Sequence, residues 1–129
     1  MSDNSRRVRH TQWAIAAVFF TLGGWALAWP QGVIDLTFLP QYRAGGPMLA
    51  FTVACFGAQA MIAGLFAAFS RFTRTTFLAF GIGLLPFFVF DIWFTAIDPV
   101  FTPLGWLDAV GNVIMLGLCV AGWRAARNH

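Results

Sequence analysis

The sequence predicts an all-α integral membrane protein, an antiparallel four-helix bundle forming a single domain over residues 1–129. Three observations predict it. The chain is 59% hydrophobic and only 10% charged, against about 45–50% and about 25% in soluble domains, so too few charged groups remain to cover a water-facing surface. Four separate stretches approach the about 20 apolar residues that a helix needs to cross a hydrocarbon core. The positive charges gather at one set of connections. Composition of this kind excludes intrinsic disorder, a nucleic-acid module and a disulfide-stapled secreted fold.

The first span covers residues 13–29. Arginines precede it as they precede a signal peptide, but it ends in Trp29-Pro30 without a small-residue cleavage site, so it is expected to be retained. The loop 30–46 follows. Within it, Val33-Ile34-Asp35-Leu36 has the apolar neighbours of a segment lying on the membrane surface. The second span, 47–69, carries the small pair Ala60-x-x-x-Gly64. Residues 70–75 make a short basic turn, from which the second and third helices are expected to be antiparallel neighbours. The third span, 76–97, contains Pro86, which removes the bond to the Ile82 carbonyl and is expected to bend the helix. After the turn 98–104, with its two prolines, the fourth span runs over 105–123.

Orientation follows from charge. All eight cations are arginine. Arg6, Arg7 and Arg9 precede the first span, Arg71 and Arg74 lie in the second connection, and Arg124 and Arg127 follow the last span. Arg43 alone falls on the other side. This distribution predicts cytoplasmic termini in a bacterial-type inner membrane. Trp13 and Trp123 suit the cytoplasmic interface, and Trp29, Trp93 and Trp106 the outer one, because an indole has an apolar body and a single N–H. Helices in lipid associate through small residues. The expected stripes are Ala17, Thr21, Gly24 and Ala28 in the first span, Ala60 and Gly64 in the second, Gly81 and Gly83 in the third, and Gly117 and Ala121 in the fourth.

Four of the five acids belong to the outer half. Asp98 sits in a turn, and Asp108 falls where an acid favours a helix N-terminus. Asp91 is different. It lies about six residues inside the third span, roughly 9 Å deep, where an ionisable group is by default a functional-site candidate. Asn112 reaches a similar depth from the outer end of the fourth span, on the same face as Asp108. With Thr21 and Thr52 these residues form an expected polar layer in the outer third of the bundle, with Gln59 below it. The candidate acid–base groups are Asp91 and Asp108. The candidate ligand-binding groups are Asn112, Gln59, Thr52, Trp93 and Arg43, the last being the nearest cation. Interhelical glue is the bland alternative for the whole layer.

Other chemistries lack their residues. Cys55 and Cys119 sit singly at different depths, and no C-x-x-C supports a thiol oxidoreductase. The only histidines are His10 and His129, so no span offers an imidazole to haem. No cluster has zinc or iron spacing, and no phosphate loop or nucleophile elbow is present. The basic balance reflects arginines beside anionic lipid rather than nucleic acid.

The order of features resembles the DoxX-like small four-helix membrane proteins. It rests on a first span ending near a proline, a small-rich second span, Phe56-Gly57-Ala58-Gln59-Ala60-Met61-Ile62-Ala63-Gly64-Leu65, a short basic inner turn, and a fourth span opening as Leu107-Asp108-Ala109-Val110-Gly111-Asn112. The resemblance covers residues 12–123 and implies the fold more than a function, because the archetype is a membrane subunit of a quinone-linked sulfur-oxidising enzyme. Three functions are open. The first is an accessory or structural subunit of a larger membrane complex, without chemistry of its own, held by a membrane protein partner or as a homo-oligomer. The second is a pocket for a small amphiphile, a quinone or isoprenoid, in the outer leaflet, with Asp91 as acid–base group or hydrogen-bond partner. The third is a proton-coupled small-molecule transporter.

Overall fold

The computed structural model describes residues 3–126. Arg127 and His129, both used in the sequence argument, lie outside the described residues. The described chain holds five α-helices: α1 (Asp3–Ala28), α2 (Pro30–Thr37), α3 (Gly46–Phe69), α4 (Arg74–Ile92) and α5 (Trp106–Ala125). All but α2 are long and apolar enough to cross a membrane once the flanking turns are included. Among the described residues there is no strand, only an isolated bridge between Phe38 and Phe101.

Local chemistry sets the boundaries. Pro30 occupies the first turn of α2, where its missing N–H is harmless. A 3₁₀ turn, Pro40–Gly45, leads to Gly46, whose φ of 59° is the one positive value in the described chain. That left-handed residue redirects the backbone into α3 with Pro47 behind it. The α4 helix starts on a reciprocal capping box. The Thr73 hydroxyl accepts from the Thr76 N–H and the Thr76 hydroxyl from the Thr73 N–H, each at 3.2 Å. It runs unbroken through Pro86 to Ile92 and continues as a π-turn, Trp93–Ile97, closed by the Asp98 N–H on the Trp93 carbonyl. Asp98, at φ −125° and ψ 80°, has left the helical region that the following Pro99 disfavours.

Packing follows the order α3, α1, α5, α4: α1 lies against α3 and α5, and α4 lies against α5. The expectation that the second and third long helices are neighbours is not met. Although only residues 70–73 join them, α3 and α4 do not pack along each other. A short link brings two helix ends together without fixing the axes. Phe72, in the link itself, meets the Phe77 ring edge-on at 5.1 Å and lies tilted against Phe80 at 5.4 Å. The closest approach is instead α1 on α3. A Cβ on Gly57 would stand 2.5 Å from the Leu27 nitrogen, and one on Gly23 would stand 2.7 Å from Ala60 Cβ. Only glycine permits this backbone contact. Gly122 of α5 likewise lies directly against the fully buried ring of Phe77.

Two expected stripes are corrected. In α1 the inward face is Gln12, Ile15, Ala16, Gly23 and Ala26, while Ala17, Thr21 and Ala28 are exposed. One residue of register is about 100° around a helix, enough to turn a stripe outward. In α5 the inward face is Asn112, Met115, Cys119 and Gly122. Gly117 and Ala121 are exposed, and no atom lies within 4 Å of a Cβ placed on Gly117. The pair Ala60 and Gly64 does face α1, through Gly23 and Phe20 respectively.

The two ends differ. At one, Gln12 is 3% exposed and its Nε2 donates to the carbonyls of Ala67 and Ser70, at 3.0 and 2.8 Å. This end carries Arg6, Arg7, Arg9, Arg71, Arg74 and Arg124. The guanidiniums of Arg9 and Arg74 lie over the rings of Trp13 and Trp123. At the other end the two connections are sewn together. The Leu39 N–H donates to the Val100 carbonyl, the Thr102 N–H to Thr37, and the Thr102 hydroxyl to Leu36. Buried Ile34 seats α2 on Ala26 and Val53.

Candidate functional site

The separation of α3 from α4 leaves a cavity of about 500 Å³. Its wall is nearly all apolar: Phe19 and Leu22 of α1, Phe56 and Ala63 of α3, Phe80 and Phe87 of α4, and Met115 of α5. The polar wall groups are Gln59, Thr76, Asp108 and Asn112. Gly83 contributes open space, with no atom within 4 Å of a Cβ built there.

The polar residues converge at the junction of α4 and α5. Asp91 stands in the last turn of α4 and is 6% exposed; Asn112, two turns into α5, is 9% exposed. The Asn112 Nδ2 donates to Asp91 Oδ2 at 2.9 Å and, more weakly, to Asp108 Oδ2 at 3.4 Å. Asp108 and Asn112 share a face because they are four residues apart on one helix. Asp91 joins them because α4 and α5 run in opposite directions side by side. Asp108 and Asn112 line the cavity, whereas Asp91 stands behind Asn112 and is not part of the wall. The cavity-facing acid is therefore Asp108.

The rest of the expected layer is dispersed. Gln59 lines the cavity from α3. The Thr21 and Thr52 hydroxyls turn back onto the Ala17 and Met48 carbonyls of their own helices and are exposed. Neither joins the cluster; each hydroxyl is satisfied by the carbonyl one turn back. Trp93 is half exposed at the start of the π-turn and outside the cavity wall. The Nε of Arg43 donates to the Phe38 carbonyl at 2.9 Å, so this cation serves the end connection rather than Asp91. The ion pair among the described residues is Arg7 with Asp3, at the opposite end. Cys55 is exposed and Cys119 buried, both as free thiols. Among the described residues no three His, Cys, Asp or Glu are grouped to hold a metal ion.

One group went unforeseen. Gln12 lies just outside the predicted first span, and its role depends on α1 reaching the end of α3. The available signal was that the last carbonyls of a helix need donors. Which helix supplies them cannot be read from a single chain.

No family model matches the chain, and neither do any curated proteins or solved structures.

Proposed function

We propose that the protein is an integral inner-membrane protein, an antiparallel four-helix bundle with both termini cytoplasmic, that binds a small amphiphile between α3 and α4. The observation that carries this reading is the pairing of a largely apolar cavity of about 500 Å³ with Asp108 and Asn112 in its wall. Small-molecule sites have this make-up: apolar walls for the body of the ligand and a few convergent polar groups that fix its head. The charge asymmetry of the helix ends supports the orientation, by the positive-inside rule. Asp91 holds the Asn112 amide in place from behind, and Asp108 meets the ligand. The candidate ligands from sequence are a quinone or an isoprenoid. The DoxX-like resemblance belongs to this proposal and supports a membrane bundle near quinone chemistry.

Gentle purification tests it. The protein is extracted in a mild detergent and its bound small molecules are identified by mass spectrometry. A stoichiometric amphiphile, lost when Ala63→Trp fills the cavity, is the expected result; none in wild type would refute the proposal.

A second reading, an accessory subunit without chemistry of its own, draws support from the outward face of α5. There Gly117 and Ala121 leave a flat exposed strip, and such strips let helices approach closely in lipid. Co-purification of a stoichiometric protein partner, lost on Gly117→Leu, would favour it.

A further inference from the structure

The geometry points to a ligand whose polar head is a protonated amine: a lipophilic ammonium compound, its alkyl or aryl body lying along the apolar length of the cavity. This inference rests on the binding proposal above and names its chemical class.

Counting donors and acceptors leads to it. The carboxyl groups of Asp91 and Asp108 present four oxygens. Among the described side chains the one nitrogen that donates to them is the Asn112 Nδ2, whose two hydrogens are divided between contacts at 2.9 and 3.4 Å, and the two carboxyls also lie within hydrogen-bond reach of each other. With those hydrogens spent, Asn112 has only its carbonyl oxygen left to offer. The Thr76 hydroxyl, elsewhere in the wall, is held by Thr73. The cluster is therefore rich in acceptors and short of donors. It is short of positive charge too. Arg43 is committed to the Phe38 carbonyl, and the other described arginines lie at the far end of the helices.

An ammonium head meets both deficits. It brings three N–H donors and a positive charge to a wall whose one acid, Asp108, has no cation beside it. A quinone brings two more carbonyl acceptors. An alcohol brings one donor and no charge. Charge-assisted hydrogen bonds are also the stronger ones. A free amine and an ethanolamine phospholipid carry the same head, and exchange of the surrounding lipid separates the two sources.

The test uses the full chain in phosphatidylcholine nanodiscs and equilibrium dialysis with radiolabelled phenylbutylamine, phenylbutanol and a short-chain benzoquinone. Uptake by empty discs is subtracted. The amine is expected to bind at least about tenfold more tightly than the alcohol, and Asp108→Asn to abolish that preference. Replacing phosphatidylcholine by phosphatidylethanolamine should leave amine binding as it was. Should Asp108→Asn fail to accumulate, the preference of the wild-type protein decides alone. Equal binding of amine and alcohol, or tighter binding of the quinone, overturns the ammonium assignment and leaves the cavity proposal standing. Displacement by phosphatidylethanolamine would assign the site to a lipid headgroup and overturn the free amine. If no probe is retained above empty discs, the cavity proposal itself falls.

Discussion

Asn112 and Gln12 stand at opposite ends of the molecule and do the same physical work, since each is a buried amide that satisfies groups on another helix. Gln12 supplies both N–H groups to carbonyls at the end of α3. Replacing it with Ala strands those carbonyls in a closed interface and should cost about 1–3 kcal/mol, seen as a lower melting temperature in one fixed detergent. Asp91→Asn should behave in the opposite way. The amide is nearly isosteric with the acid, can still accept from Asn112, and is cheaper to bury than a carboxylate. The melting temperature should hold or rise while ligand retention falls. Because Arg43 is bonded to Phe38, adding Arg43→Gln should change nothing beyond its own effect. A marked loss in Asp91→Asn that the second change rescues would instead reveal an ion pair between them. The meeting of Asp91 with Asn112 was legible in the sequence, because equal depth on two adjacent antiparallel helices brings side chains to one level. The dispersal of Thr21, Thr52 and Trp93 was not, because depth says nothing of which way around its helix a residue points.

That ambiguity shaped the helices as well. Several ends were legible from prolines and the length of the apolar runs, and α3 begins within one residue of its expected start, but α1 begins at Asp3, well before the expected start at residue 13. Their faces were not legible. In a helix that is apolar all round, hydropathy has no direction, and only small residues hint at an interface. In α1 the hint was one residue out, and in α5 it selected Gly117 over Gly122. The difference can be measured. Gly57→Leu should prevent accumulation of folded protein, since even a Cβ there meets the backbone of α1, and overpacking costs about 1–3 kcal/mol or more. Gly117→Leu should accumulate as wild type when no partner is present. Similar losses from both changes, read as monodisperse yield on size exclusion, would mean that α5 turns a different face inward.

For the whole molecule, the gathering of arginines at one end makes a plain prediction about sidedness. A reporter active only in the periplasm should work when fused after Pro40 or Pro99 and be silent after Thr73 or Asn128. The reverse pattern would remove the basis for a cytoplasmic location of both termini. The packing order also bears on how the chain is made. The helices at the edges, α3 and α4, are the middle pair in sequence, whereas α1 and α5, the first and last long helices, are the inner pair. A ribosome delivers them in the other order. The α1–α3 hairpin can close early through Gly23 and Gly57. For as long as α5 is still being synthesised, however, α4 has no helix along which to lie, and it carries Asp91 without the amide that satisfies it. The polar cluster is thus assembled by the last helix to emerge. A nascent chain halted before Asn112 would therefore carry Asp91 without the amide that answers it in the finished fold.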